Sequence, residues 1–140
     1  MTEVLFVEVT ASRLEFKACE IAERTYSEGR RLQIIAANQE QAARLDDLLW
    51  TFKPDSFVPH GFSAAATASP DQPVVITTGL DHLAGFEALL MMDYCPGDLV
   101  KRFVQAIHLV VIDNPERLDA SRRYWAQLKD TGFALRHQKI

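Results

Sequence analysis

At 140 residues, 48% hydrophobic and 24% charged, the chain reads as a single globular domain over residues 1–140. That length can bury a core without disulfide staples or a structural metal. A formal net charge of -4 excludes a bulk attraction to DNA or anionic membrane, which needs a basic surface.

The start, Met1 to Glu8, has neither a basic segment nor a long apolar one. It does not read as a signal peptide, and no apolar run is long enough to span a bilayer. Val4 to Val9, rich in β-branched residues, predicts a first strand. From Phe16 to Glu28, the positions Phe16, Cys19, Ala22 and Tyr26 recur at helical spacing, and Gly29 ends that helix. Leu32 to Ala36 is a short apolar run and predicts a buried strand. Asn38 followed by Gln41 opens a second helix in the manner of a capping box. It turns Ala42, Leu45, Leu48 and Leu49 inward and ends near Trp50.

Lys53 to Pro73 is dense in Pro and Gly. It reads as an ordered turn followed by a loose connection of small residues, Ser63 to Ser69. Val74 to Thr77 and the apolar run within Glu87 to Asp93 predict two more strands, the latter central. Leu99 to Ala106 predicts a short helix, and Ile107 to Ile112 a buried strand. Asn114-Pro115 is a helix start, with Asn as N-cap and Pro in the first turn. The last helix runs to about Asp130 and stops at Gly132. The tail, Phe133 to Ile140, is a candidate edge strand. Strands alternating with helices predict an α/β fold of three layers: a mostly parallel sheet with helices on both faces.

Sheets of this kind often bind nucleotides, and their phosphate sites need glycine backbone. The six glycines form no Gly-x-Gly and no Gly-Lys-Ser/Thr, so the dinucleotide and P-loop fingerprints are both absent. No His-Glu-x-x-His or Gly-x-Ser-x-Gly occurs. Asp93, Cys95 and Asp113 follow apolar strands. They read either as turn and helix caps or as the acids of a small enzyme. His60, His82, His108 and His137 have no partner at ligand spacing, so no metal and no cofactor is expected. Cys19 and Cys95 match no metal or redox spacing and read as free thiols in a reducing cytosol.

Two features point to binding. Trp50, Phe52 and Phe57 crowd a helix end and the loop after it, so they are either tucked inward or offered to a partner. On the last helix Leu118 and Trp125 share a stripe. Arg122 and Lys129, seven residues apart, share a face at its edge. That pattern is either an ordinary solvated face or a seat for an acidic peptide with an apolar end. A third reading is direct DNA contact through Arg122, Arg123, Arg136 and Lys139.

Four blocks carry a family resemblance: Cys19-Glu20-Ile21-Ala22, Gly29-Arg30-Arg31, Arg44-Leu45-Asp46-Asp47-Leu48-Leu49-Trp50, and Ser56-Phe57-Val58-Pro59-His60. In order and spacing they resemble the chi subunits of the bacterial DNA polymerase III holoenzyme, as does the Arg-rich last helix closing in Gly132-Phe133. The resemblance implies a nucleotide-binding-like fold without nucleotide chemistry. It also implies a cytoplasmic, non-catalytic replication subunit that meets DNA mainly through other proteins. The implied partners are the psi subunit of the clamp loader, facing Trp50 and Phe57, and the acidic, phenylalanine-ending C-terminal tail of single-stranded-DNA-binding protein, held by Arg122. The family's second basic residue directly after the helix aromatic is missing here, and helix geometry offers Lys129 in its place.

Overall fold

A computed structural model describes residues 1–63 and 72–140. In chain order the elements are β1 (Glu3–Val9), a 3-10 turn at Ala11–Arg13, α1 (Leu14–Ser27), β2 (Leu32–Ile35), α2 (Gln39–Thr51) and β3 (His60–Ser63). There follow β4 (Val74–Thr77), β5 (Ala88–Met91), α3 (Gly97–Val100), β6 (Gln105–Val111), α4 (Pro115–Asp130) and β7 (Ala134–Gln138). The seven strands form one sheet in the order β3-β4-β2-β5-β6-β1-β7, and every pairing is parallel. The expected three-layer α/β fold is therefore present, with a sheet that is wholly parallel.

β2, β4 and β5 are buried at every position. This is what helices on both faces impose on parallel strands. One core cluster lies between the sheet and α1 and α2, and includes Ala18, Ala22, Leu45, Leu49 and Leu90. The other lies beneath α3 and α4 and includes Phe6, Leu89, Leu99, Tyr124 and Leu128. One polar side chain sits fully inside the sheet. Gln33 donates to the Asp81 carbonyl (2.7 Å) and accepts from the Leu83 N–H (3.0 Å), which anchors the loop after β4.

The helix ends follow local chemistry. Asn38 accepts from the Gln41 N–H at 2.8 Å, and the Gln41 side chain accepts from the Ala37 N–H at 2.8 Å. The box is thus reciprocal, reaching one residue further back than the usual pattern. After α1, Gly29 takes φ 73. The Gly29 N–H then reaches the Tyr26 carbonyl and the Arg30 N–H reaches Thr25, a Schellman closure. Asn114 accepts from the Arg117 N–H at 3.1 Å and opens α4.

Three expectations need correcting. Within Lys53 to Pro73, read as irregular, residues 60–63 form β3, an edge strand registered His60↔Val74 to Ser63↔Thr77. The small-residue connection lies largely outside the described residues. The helix expected over Leu99 to Ala106 stops at Val100, because Gln105 and Ala106 are drawn into β6 beside β1 and β5. Tyr26, counted with Phe16, Cys19 and Ala22 in the apolar spacing of α1, is exposed at its last turn, where Thr25 takes the buried position.

Candidate functional site

Two surface features gather the residues singled out by the sequence, and they lie at opposite edges of the sheet. The first is an aromatic platform beside β3. Trp50 lies in the last turn of α2 at 50% exposure, and Phe57 stands on the following loop at 65%. Their ring centroids are 5.7 Å apart. Phe52 behaves differently: it is buried edge-on against Phe16 at 5.8 Å. The crowding of aromatics is thus split, one packed inward and two presented to solvent.

The loop carrying Phe57 is pinned from both sides. Glu23 on α1 accepts from Lys53 (2.9 Å) and from the Ser56 hydroxyl (2.5 Å). Those two hydrogen bonds, Ser56 first, hold the Glu23 carboxyl below its ordinary range. From the other side His60, whose side chain is fully buried, packs tilted against the Trp50 ring, with centroids 4.4 Å apart. Its Nδ1 is 2.7 Å from the Val58 carbonyl oxygen, and its Nε2 is 3.0 Å from Asp46 Oδ1. Neither Glu23 nor Asp46 could be assigned these contacts from sequence. The only hint in the sequence is that His60 closes the block Ser56-Phe57-Val58-Pro59-His60 that carries the family resemblance.

The second feature is a groove of about 320 Å³ between α4 and the β1–β7 edge. Phe6, Val110 and Leu118 line its apolar part, Trp125 stands edge-on to Phe6 at 5.0 Å, and Arg122 supplies a cation. Glu8 and His137 complete the wall and are joined by a 2.7 Å contact. The structure therefore brings Arg122 and Trp125 together, as the helix periodicity predicts. Lys129 is exposed but does not line the groove; it lies one helical turn beyond Trp125. Glu8 and His137 were missed. The alternation Val4, Phe6, Glu8 places Glu8 on the Phe6 face, but only the register Phe6↔His137 brings His137 there.

Beneath this groove His108 is buried between Phe6 and Tyr124, with Nε2 2.9 Å from the Ser121 hydroxyl. Its Nδ1 has no partner among the described residues. Burial, and secondarily the nearby Arg117 charge, lowers its pKa to about 4.

The strand-end acids behave as caps. Asp113 accepts from the Ala11 N–H at 2.9 Å, across the carboxyl ends of β1 and β6. Such strand ends are where parallel sheets hold ligands. Asp93 accepts from the Tyr94 N–H at 2.7 Å. Burial, with a smaller contribution from Asp93, pushes the Cys95 thiol up to about 12. It stays protonated, and a thiol is not a nucleophile. Cys19 is also buried and raised to about 12, by burial first and then by Glu15 and Glu20. Among the described residues no group of three or more His, Cys, Asp or Glu is arranged to hold a metal. No helix there is long and apolar enough to cross a membrane. Of the four cations in the DNA-contact reading, Arg123 is paired with Asp119 and Arg136 with Glu3.

Comparison with known proteins bears on the fold and, separately, on the family. Mss116p DEAD-box helicase domain 2, solved bound to an RNA duplex, superimposes with a TM-score of 0.67 at 11% identity. The match covers 100% of this chain and 64% of that one. At that identity it shows the fold alone. DNA polymerase III subunit chi of Escherichia coli (strain K12) is 40% identical over 124 residues, 89% of this chain and 84% of the relative. The Haemophilus influenzae subunit chi is 28% identical over 123 residues, 88% of this chain and 85% of the relative. Residues 1–136 match the family described as DNA polymerase III chi subunit, HolC. The chain belongs to the DNA polymerase III chi subunit family, and is a component of DNA replication.

Proposed function

We propose that this chain is a non-catalytic, cytoplasmic adaptor of the polymerase III holoenzyme. It holds the psi subunit of the clamp loader on the Trp50–Phe57 platform. In the Arg122 groove it holds the acidic C-terminal tail of single-stranded-DNA-binding protein. The observation that carries this reading is the separation of the two features. The platform adjoins β3 and the groove adjoins β7, the two ends of the sheet. Six strand spacings of about 4.8 Å put roughly 29 Å between them. Two protein ligands can therefore be held at once.

The chemistry of each site fits its ligand. Arg122 offers a charge-assisted hydrogen bond to a carboxylate. Trp125, Phe6 and Leu118 offer an apolar wall to a terminal phenylalanine ring. Lys129, about 6 Å further along the helix axis, meets acidic residues upstream in the tail. On the platform, two half-exposed aromatic rings side by side have the composition of a binding hot spot. Single-stranded-DNA-binding protein carries several tails. Weak individual contacts then gain from effective concentration once the adaptor is fixed to the clamp loader.

Titration with a labelled acidic peptide ending in Ile-Pro-Phe tests the groove. Saturable binding is expected, lost when the terminal Phe is removed. Arg122→Ala is expected to weaken it by about 1–3 kcal/mol, the range for a hydrogen bond to a charged group. Arg122 is exposed, so the variant keeps the fold, and unchanged affinity would remove Arg122 from the site.

A further inference from the structure

The Arg122 groove contains an anion of its own. Glu8 lines it together with Arg122, His137 and the apolar side chains. A carboxylate built into a seat for an acidic peptide competes for the same cation. It does so at high effective concentration, because it belongs to the same chain. A second competitor is Asp119, one turn before Arg122 on α4. Yet Arg122 makes no ion pair among the described residues. Both acids are held elsewhere. Asp119 is paired with Arg123, and Glu8 with His137, whose Nε2 lies 2.7 Å from Glu8 Oε2.

The register of the sheet builds the second of these contacts. His137 on β7 stands opposite Phe6 on β1, and Glu8 follows Phe6 by two residues, on the same face. The two side chains are therefore diagonal neighbours across one strand pair. Trp125 approaches the His137 ring edge-on, with centroids 6.5 Å apart. His137 thus touches both the aromatic wall of the groove and its carboxylate. The Nε2–H of a neutral imidazole is enough for this bond, and the carboxylate accepts it.

We propose that His137 is a positioning residue of this groove: it holds Glu8 to the β7 side and leaves Arg122 to the carboxylate of an incoming acidic peptide. The inference rests on the reading of the groove as a peptide seat, and adds what keeps that seat open. Without the His137 ring, Glu8 is free to turn toward Arg122, and the peptide must displace it. The contact is reached by solvent, with the His137 side chain 43% and the Glu8 side chain 20% exposed. The competition is therefore worth several-fold in affinity rather than orders of magnitude.

Titration with the labelled acidic peptide ending in Ile-Pro-Phe tests this on wild type, His137→Ala, Glu8→Gln and the double variant. His137→Ala should weaken binding several-fold where Glu8 is present, and markedly less in the Glu8→Gln background. An equal loss in both backgrounds would make His137 a simple wall contact, and no loss in either would make it idle; each result overturns the proposal. The Arg122 Nε–H signal in nitrogen-correlated spectra of the free protein gives a second readout that needs no peptide. It should shift further in His137→Ala, where Glu8 reaches the guanidinium, than in the double variant, where no carboxylate is released. A signal that moves equally in the two variants, or in neither, overturns the proposal whether or not the peptide binds. Failure of the wild type to bind the peptide, with the Arg122 signal responding as stated, overturns the peptide reading instead and leaves the positioning role of His137 standing.

Discussion

Trp50→Ala is expected to weaken binding to psi by about 2–4 kcal/mol, roughly 30- to 1,000-fold, while the domain stays folded and melts only some degrees below the wild type. Both halves follow from the same exposure. Trp50 is half exposed, and its aromatic neighbours among the described residues are Phe57 and His60. Truncation therefore removes one or two aromatic contacts from the fold, each worth about 0.5–1.5 kcal/mol. In a complex the same ring is desolvated and becomes the largest apolar group on the patch. Phe57→Ala should act in the same direction. Phe52→Ala should not separate the two effects, because Phe52 packs in the core against Phe16. Calorimetric titration with psi, paired with thermal melts, checks the expectation. Loss of folding in Trp50→Ala would return the ring to the core. Unchanged affinity in a folded variant would move the psi surface elsewhere.

The second large effect is on stability in acid. His108 has an ordinary value of 6.5 and a folded value of about 4. As the pH falls, the unfolded chain takes up the proton first, so folding must exclude it. The stability linked to His108 is therefore fully present above about 6.5 and is lost as the pH falls toward 4. At about 1.4 kcal/mol per pH unit the loss reaches roughly 3 kcal/mol. The structural cause is visible: a ring walled by Phe6, Tyr94 and Tyr124, with Nδ1 unpartnered among the described residues. Denaturant unfolding at a series of pH values, on wild type and on His108→Gln, isolates this contribution. The slope from acids such as Glu23, held low by Ser56 and Lys53, is common to both proteins and cancels. An identical acid slope in the variant would contradict the assignment. Because His108 bonds to Ser121 on the groove wall, acid should also loosen that wall.

What could be read from sequence follows how local each signal is. The Asn38 and Asn114 caps, the Gly29 closure and the apolar runs of β2, β5 and β6 are written in a few adjacent residues, and the structure holds them. β3 is not written that way. His60-Gly61-Phe62-Ser63 sits in a Pro- and Gly-rich stretch and becomes a strand only through its pairing with β4. The end of α3 was misplaced for the same reason: pairing with β1 and β5 claims Gln105 and Ala106. The sites divide likewise. Arg122 and Trp125 are one helical turn apart, so periodicity alone puts them together. Glu8 and His137 meet only because β7 lies beside β1 in register. Asp46 and Glu23 reach the platform across helix-to-loop contacts that no spacing rule encodes.

The bridging account stands most directly on whether both ligands bind at once. The measurement is titration of the preformed complex of this chain with psi, using the acidic peptide that ends in Phe. The account predicts saturable binding with the affinity shown by the free chain and with psi retained, since groove and platform lie at opposite ends of the sheet. Displacement of psi by the peptide, or failure of the complex to bind it, would contradict the account.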